Sequence, residues 1–266
     1  MKTHHKILIG DCLEALKDIP DESVDLIFAD PPYGLAKKKG LGWKYSKHVT
    51  LQEAWDIFGK DEFFQFNIKW IGECLRVLKH GGSIWICGSF HNIYQIGFIL
   101  QNIYEVKINN SIVWFKPNAQ PNITCRFFTE STEHLIWASK NGKDKKWTFN
   151  YEWTKHNIED PLNPKGKQTR NVWSIPLTPK SEKWAGEHPT QKPIELLRRV
   201  ICSTSKEGET VLDPFVGSGT TSVVAKEHGR NSIGIDKEKK YLPIIKKRMD
   251  PPQQKLGEET EVEYIE

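Results

Sequence analysis

The chain has 266 residues, of which 38% are hydrophobic and 27% charged, and a formal net charge of +4. That length suits one large α/β domain; no apolar run is long enough to span a membrane, and Met1-Lys2-Thr3-His4-His5-Lys6 lacks the apolar core of a signal peptide, so a cytoplasmic protein is expected. Five scattered cysteines (Cys12, Cys74, Cys87, Cys125 and Cys202) without a paired spacing argue against a disulfide framework and against a zinc site, so no metal is expected.

Residues 6–9 read as a short strand leading through Gly10-Asp11-Cys12 into a helix over 13–17. Residues 24–29 are apolar except for Asp25, as in a buried strand, and end at Asp30-Pro31-Pro32-Tyr33. Residues 34–50 are irregular and carry Lys37, Lys38, Lys39, Lys44 and Lys47 with no acid. Phe64, Ile68, Ile71, Leu75 and Leu78 recur with a helical period, which predicts a helix over 61–78 that stops at Gly81-Gly82. A strand at 83–87, a helix at 91–102 and a pair of strands at 108–115 and 134–138 follow. Between 140 and 187 the pattern dissolves into turns, lysines and Trp147, Trp153, Trp173 and Trp184. Regularity returns with a helix at 193–203, a strand at 210–212, a helix at 220–228, a strand at 232–235 and a helix at 237–249. Strands alternating with helices predict βαβ units, a parallel sheet and a single domain over residues 1–249.

Charge is spread unevenly along this domain and its tail. Residues 250–266 hold six acids and one lysine, a net of −5, so residues 1–249 carry +9. With Pro251-Pro252 and few apolar residues, the end reads as a mobile acidic tail. The basic body favours a polyanionic partner, although a solvated surface would look the same.

Two strand ends carry the chemistry. Asp213-Pro214-Phe215-Val216-Gly217-Ser218-Gly219-Thr220-Thr221 follows a strand and opens a helix, where glycines let the backbone approach a ligand. Asp236 ends the next strand, 19 residues after Gly217, near the spacing that places an acid on a ribose diol. A dinucleotide site uses the same parts, so these residues alone also fit an NAD-dependent oxidoreductase. However, Ser222 stands where the third glycine of that fingerprint belongs, and Asp213 would repel a pyrophosphate while suiting an ammonium. S-adenosylmethionine, with a ribose, a cationic amino acid and no phosphate, meets both conditions. Because this half comes last in the chain, N-terminal strands must complete the sheet. Residues 7–9 are then expected beside the 232–235 strand, with Asp11 reaching the adenine edge of the cofactor.

In the other loop, Asp30 and the Pro31 carbonyl offer two acceptors for the two hydrogens of an exocyclic amine. The diproline removes backbone donors and stiffens the turn, and Tyr33 can stack on a base. Acceptors that favour a tetrahedral nitrogen free its lone pair for attack on a methyl sulfonium. The base must leave the duplex stack to reach them.

These motifs resemble the β class of S-adenosylmethionine-dependent amino-methyltransferases of DNA, in which the catalytic motif precedes the cofactor motif. The resemblance runs through Gly10-Asp11-Cys12-Leu13-Glu14, the Asp30 turn, Gly82 to Ser89, Arg126-Phe127-Phe128, Glu133-His134-Leu135-Ile136-Trp137-Ala138, His188-Pro189-Thr190-Gln191-Lys192-Pro193, the Asp213 loop and Gly234-Ile235-Asp236. It implies an α/β, Rossmann-like methyltransferase sheet in circularly permuted order, with DNA-recognition segments about 34–60 and 118–187. It implies a catalytic turn of Asp30, Pro31, Pro32 and Tyr33. It implies cofactor contacts from Asp11, Cys12, Asp30, His188, Thr190, Gln191, Lys192, Asp213, Pro214, Phe215, Gly217, Ser218, Gly219, Thr220, Thr221 and Asp236. Lys37, Lys38, Lys39, Lys44, Lys47, Lys116, Asn122 and Arg126 are the expected DNA contacts. The aspartate opening the turn suggests adenine N6, with cytosine N4 as the alternative and a non-catalytic DNA-binding module as a rival of another class. Residues 117–128 and Trp184-Ala185-Gly186 are most similar to GATC-modifying second methylases of Dpn-type restriction systems. DNA and a restriction endonuclease are the implied partners, and a homodimer stays open.

Overall fold

A strand whose residues are buried on both faces belongs inside a parallel sheet covered by helices. Val24–Ala29 (β2) is such a strand, with only Asp25 partly exposed. The computed structural model, which describes residues 2–35, 56–122, 125–140, 146–160, 167–250 and 260–266, places it near the middle of a nine-stranded sheet. Its parallel neighbours are Leu78–Gly88 (β3) and Thr210–Asp213 (β7). The sheet continues past β7 through Asn231–Asp236 (β8), Thr3–Ile9 (β1) and Thr260–Ile265 (β9), all parallel. Past β3 lie Thr132–Ser139 (β5), antiparallel to both its neighbours, then Lys107–Phe115 (β4) and Val172–Ser174 (β6). The strand order is β6-β4-β5-β3-β2-β7-β8-β1-β9.

Alternate residues of β2 feed different cores, since successive side chains of a strand point to opposite faces. Ile27 and Ala29 pack with Cys12–Ala15 (α1), Lys60–Val77 (α2) and Ile93–Phe98 (α3), around Trp70, Ile71 and Ile96. Leu26 and Phe28 pack with Ile194–Thr204 (α5) and Thr220–Glu227 (α6). That second core holds the stacked indoles of Trp85 and Trp137, 5.2 Å apart, with Trp173 tilted beside them. A smaller cluster joins Leu242–Met249 (α7) to Ile7 and Val216.

The predicted permuted order is what is found: Ile7 pairs with Gly234, Leu8 with Ile235 and Ile9 with Asp236. Differences are local. The helix over 61–78 ends at Val77, and β3 takes in Gly81-Gly82 at an irregularity in its pairing with β2, with Gly81 at φ +79° and Gly82 against the Asp25 carbonyl where a Cβ would come within 2.9 Å. The helix at 91–102 is α3 followed by a π-helical turn, Ile99–Ile103. The last helix starts only at Leu242, after a 3₁₀ turn at Lys239–Tyr241. The irregular 140–187 stretch contributes Tyr151–Asn157 (α4) and β6, and puts Trp147 and Trp173 into the core rather than at a nucleic-acid surface. The acidic end is also not wholly mobile. Thr260–Ile265 forms an edge strand on β1, with Val262 and Tyr264 packed against the cluster around Ile7 and with Glu261 and Glu263 facing Lys2 and Lys6.

β1 is tied to β8 by a buried histidine. His5 Nδ1 lies 2.8 Å from Ser232 Oγ and Nε2 3.1 Å from Thr3 Oγ1, and burial lowers its pKa to about 4. As pH falls below the ordinary value near 6.5, the unfolded chain takes up a proton that the folded chain refuses, so stability is lost until about pH 4. That shift corresponds to about 3 kcal/mol. In urea titrations, H5Q is expected to lose less stability than the native chain between pH 6.5 and 4; equal losses would show that His5 is not the titrating group.

Candidate active site

Four neighbouring strands, β2, β7, β8 and β1, present their carboxyl ends side by side. Each leads into an aspartate: Asp30, Asp213, Asp236 and Asp11. Since the carboxyl edge of an open α/β sheet is where its ligands bind, both predicted loops open on one crevice.

The Asp213 loop is built from its own carboxylates. Phe215 N donates to Asp213 Oδ1 at 2.9 Å, and Thr221 Oγ1 donates to Oδ2. Gly217 N donates to Asp236 Oδ2 at 2.8 Å, and Glu238 N to Oδ1 at 2.7 Å. The expected ammonium and ribose ligands therefore share these two acids with the loop backbone. Burial raises Asp213 to about 7 and Asp236 to about 6. Gly217 sits at φ +53°, and a Cβ there would stand 3.1 Å from the His188 ring. Gly219 at φ +82° caps α6 and packs on Ile245; it lines neither cavity described below, so its part is to form the turn. Ser218 and Thr220 are held from beneath by the buried Arg248 guanidinium.

A cavity of about 200 Å³ opens beside this loop, lined by Asp11, Cys12, Pro32, His188, Thr190, Pro214, Phe215, Gly217 and Asp236 of the predicted set. Asp30, Gln191, Lys192, Asp213, Ser218, Thr220 and Thr221 line an adjoining cleft that shares His188, Thr190, Phe215 and Gly217. Sequence reasoning missed Leu13, Phe58, Phe66, Lys237, Glu238 and Tyr241, which complete the first cavity. Phe66 lies off the apolar stripe read on α2, and Tyr241 rests on the His188 ring at 4.1 Å in a way that only folding creates. Aromatic walls with acids at the rim suit a heterocycle bearing a ribose and a cationic amino acid. The same carboxylates oppose a pyrophosphate. Gln191 Oε1 is buried without a partner among the described residues, an acceptor left for a ligand's N–H. The residues present thus fit S-adenosylmethionine. A larger cavity of about 800 Å³, beside Thr3, Tyr151, Lys226 and Arg230, contains none of the predicted residues.

Next to the cofactor cavity lies a buried charge cluster around the Asp30 turn. Lys192 Nζ pairs with Asp30 Oδ2 at 2.7 Å, and the Tyr33 hydroxyl donates to Asp30 Oδ1 at 2.9 Å. Burial drives the Asp30 carboxyl above its ordinary range against the pull of Lys192; Lys192 itself loses to burial but gains more from Asp30 and Glu133, so its pKa is raised. Pro31 and Pro32 are buried, and the turn exit is pinned by Asp56, which accepts from Gly34 N and Leu35 N at 2.6 and 2.8 Å.

The predicted DNA contacts divide. Lys37, Lys38, Lys39, Lys44 and Lys47 lie outside the described residues. Arg126 is exposed, beside Phe127 and Phe128 at 75% and 99% exposure, while Asn122 is half-buried and its backbone carbonyl accepts from Cys125 N. Lys116 is not on the surface: it is 9% exposed and bound to Glu133 at 3.1 Å, because β4 ends at the same sheet edge where β5 begins.

Residues 24–247 match the family model N6_N4_Mtase, described as DNA methylase. The chain is 48% identical over 243 residues to the Type II methyltransferase M2.DpnII of Streptococcus pneumoniae, covering 91% of this chain and 88% of that protein. It is 46% identical over 250 residues to the Type II methyltransferase M.HinfI of Haemophilus influenzae, covering 91% and 67%. Among solved structures, the complex of M1.HpyAVI with SAM superposes with a TM-score of 0.68 at 27% identity, over 92% of this chain and 99% of that one. The cytosine-N4-specific PvuII DNA methyltransferase, 18% identical, shares the fold with a TM-score of 0.73 over 96% and 90% of the two chains. Sequence, fold and strand-end crevice agree, and the chain belongs to the N6_N4_Mtase family of DNA methylases.

Proposed function

We propose that this DNA methyltransferase is a site-specific adenine N6-methyltransferase of a restriction–modification system, acting at GATC. The observation that carries the reading is the placement of an amine-accepting turn and a pyrophosphate-hostile cofactor cavity on adjacent hydrogen-bonded strands, β2 and β7. Aspartate rather than serine at the head of the turn favours adenine over cytosine.

S-adenosylmethionine, when bound, supplies a methyl group made electrophilic by its sulfonium. Asp11, Asp236 and Glu238 would hold its nucleoside end, and Asp213, Gln191 and Thr190 its amino-acid end. Asp30 and the Pro31 carbonyl accept the two amine hydrogens of an adenine turned out of the helix, and the Tyr33 ring stacks on it. Pro31 and Pro32 bring no N–H to compete for that amine. The methylated nitrogen is acidic enough to lose its proton to water, so no histidine is needed as a base.

Nucleoside mass spectrometry of DNA incubated with the enzyme and labelled cofactor tests the reading. N6-methyladenine is expected; N4-methylcytosine would overturn the adenine assignment, and methyladenine elsewhere than GATC would overturn only the target sequence. Exposed Arg126, with Phe127 and Phe128 beside it, supports DNA contact by phosphate pairing and stacking. R126A should weaken duplex binding and lower its salt slope by about one; an unchanged slope would remove Arg126 from the interface. Phe90, Tyr94 and Phe98 form an exposed apolar stripe on and beside α3, which supports a homodimer. A restriction endonuclease of the same system is the proposed functional counterpart.

A further inference from the structure

Glu133 lies at the start of β5 with its side chain 16% exposed, and takes no part in the transfer just described. Lys116 Nζ holds its Oε1 at 3.1 Å, while its Oε2 stands 3.2 Å from the Tyr33 hydroxyl and 3.6 Å from Lys192 Nζ. The Lys192 ammonium and the Tyr33 hydroxyl meanwhile occupy the two oxygens of Asp30. The target amine needs one of those oxygens, the Pro31 carbonyl taking its other hydrogen, and it meets a donor already seated on each. The Lys192 side chain is only 11% exposed, and an ammonium with so little access to water is disfavoured without a carboxylate partner.

Building on the proposed amine chemistry, we infer that Glu133, steadied by Lys116, is a positioning residue that receives Lys192 and the Tyr33 hydroxyl when the target amine takes its place on Asp30. The Tyr33 hydroxyl already lies between the two carboxylates, and Lys192 has to move by less than about an ångström to reach charge-assisted hydrogen-bond distance of Glu133. The cluster stays balanced throughout, with Lys116 and Lys192 against Asp30 and Glu133. Burial pushes the Glu133 carboxyl up, but Lys192 and Lys116 outweigh it and hold Glu133 below the ordinary carboxylate range, so it remains an anion able to accept. No bond other than hydrogen bonds and ion pairs is exchanged.

The test is a comparison of E133Q with the native enzyme in steady-state methylation of a duplex bearing the target site. Without the second carboxylate, Lys192 stays on Asp30, and kcat should fall by about 10- to 100-fold, the scale of a reacting group held out of place. S-adenosylhomocysteine affinity should stay near native, whereas the melting temperature should fall because buried Lys116 loses its carboxylate, so kcat is compared at a temperature where circular dichroism shows both proteins folded. The pH profile separates this from an indirect charge effect. Glu133 raises the Asp30 pKa, with Lys192, Tyr33, Cys87 and Asp213 as the other titratable groups facing that carboxyl. If Glu133 only tuned Asp30, E133Q would move the acid limb to lower pH and leave the plateau intact. Positioning instead predicts a lowered plateau at every pH, reproduced in part by K116M, which frees Glu133 from its anchor. A plateau within twofold of native in E133Q overturns the inference. A native product of N4-methylcytosine would overturn the adenine reading alone, since the same kcat ratio still judges Glu133.

Discussion

Replacing Asp30 by alanine is expected to lower the methyl-transfer rate on the order of 10²–10³-fold or more, the range lost when a preorganised electrostatic partner is removed from a reacting centre. The argument is one of acceptors. Beyond the Pro31 carbonyl, the turn has only this carboxylate to receive the second amine hydrogen, and prolines on both following positions keep it aimed. D30N is the isosteric control, because it keeps volume but replaces half of the acceptor capacity with a donor facing the amine. Lys192 loses its 2.7 Å partner in D30A, yet Glu133 stands 3.6 Å away, so the ammonium retains a carboxylate and the fold should survive. S-adenosylhomocysteine binding by calorimetry should remain measurable in both variants. Turnover within tenfold of native in D30A would remove Asp30 from the chemistry.

The second large effect is expected at Gly217. The residue sits at φ +53°, its N–H held by Asp236 and its Cα hydrogen side facing the His188 ring. Valine there is a backbone outlier, since β-branched residues rarely enter the left-handed region. Its Cβ would start 3.1 Å from the imidazole, and its methyl groups would project into the space between His188 and the loop, which both cavities share. G217V should weaken S-adenosylhomocysteine binding on the order of 100-fold, a change of about 2.7 kcal/mol. Duplex binding without cofactor should change little, because Arg126 and its neighbours lie on a different connection of the sheet. Native cofactor affinity in G217V would show that the ligand lies elsewhere than against this loop.

Much of this architecture was legible in the residues themselves. Apolar runs such as 24–29 and 210–212 demand burial on both faces, and a strand ending in Asp-Pro-Pro or in a glycine-rich turn announces a ligand-facing edge. The order of the two loops along the chain also carried the permuted order, which the pairing of Ile7, Leu8 and Ile9 with Gly234, Ile235 and Asp236 bears out. What local pattern does not encode is who meets whom. Lys116 reads as a free basic residue beside a strand, yet the antiparallel pairing of β4 and β5 returns Glu133 to its side and buries both beneath the turn. Trp173 reads as a stacking platform in an irregular segment until β6 docks on β4 and closes it over Trp85, and Trp147 packs half-buried against the same cluster. The acidic end reads as solvated until Lys2 and Lys6, beside an open strand edge, supply its counter-charges. Fold class, the two chemical loops and their shared crevice follow from short-range pattern and strand-end chemistry, and so could be read from the residues in order. Folding alone sets which charges are shielded from water, which aromatic rings wall the cofactor cavity, and that Glu133 stands between Lys116 and Lys192. Those contacts join residues 17 to more than 150 positions apart, and pairings at that separation come from strand register and packing rather than from any local signal.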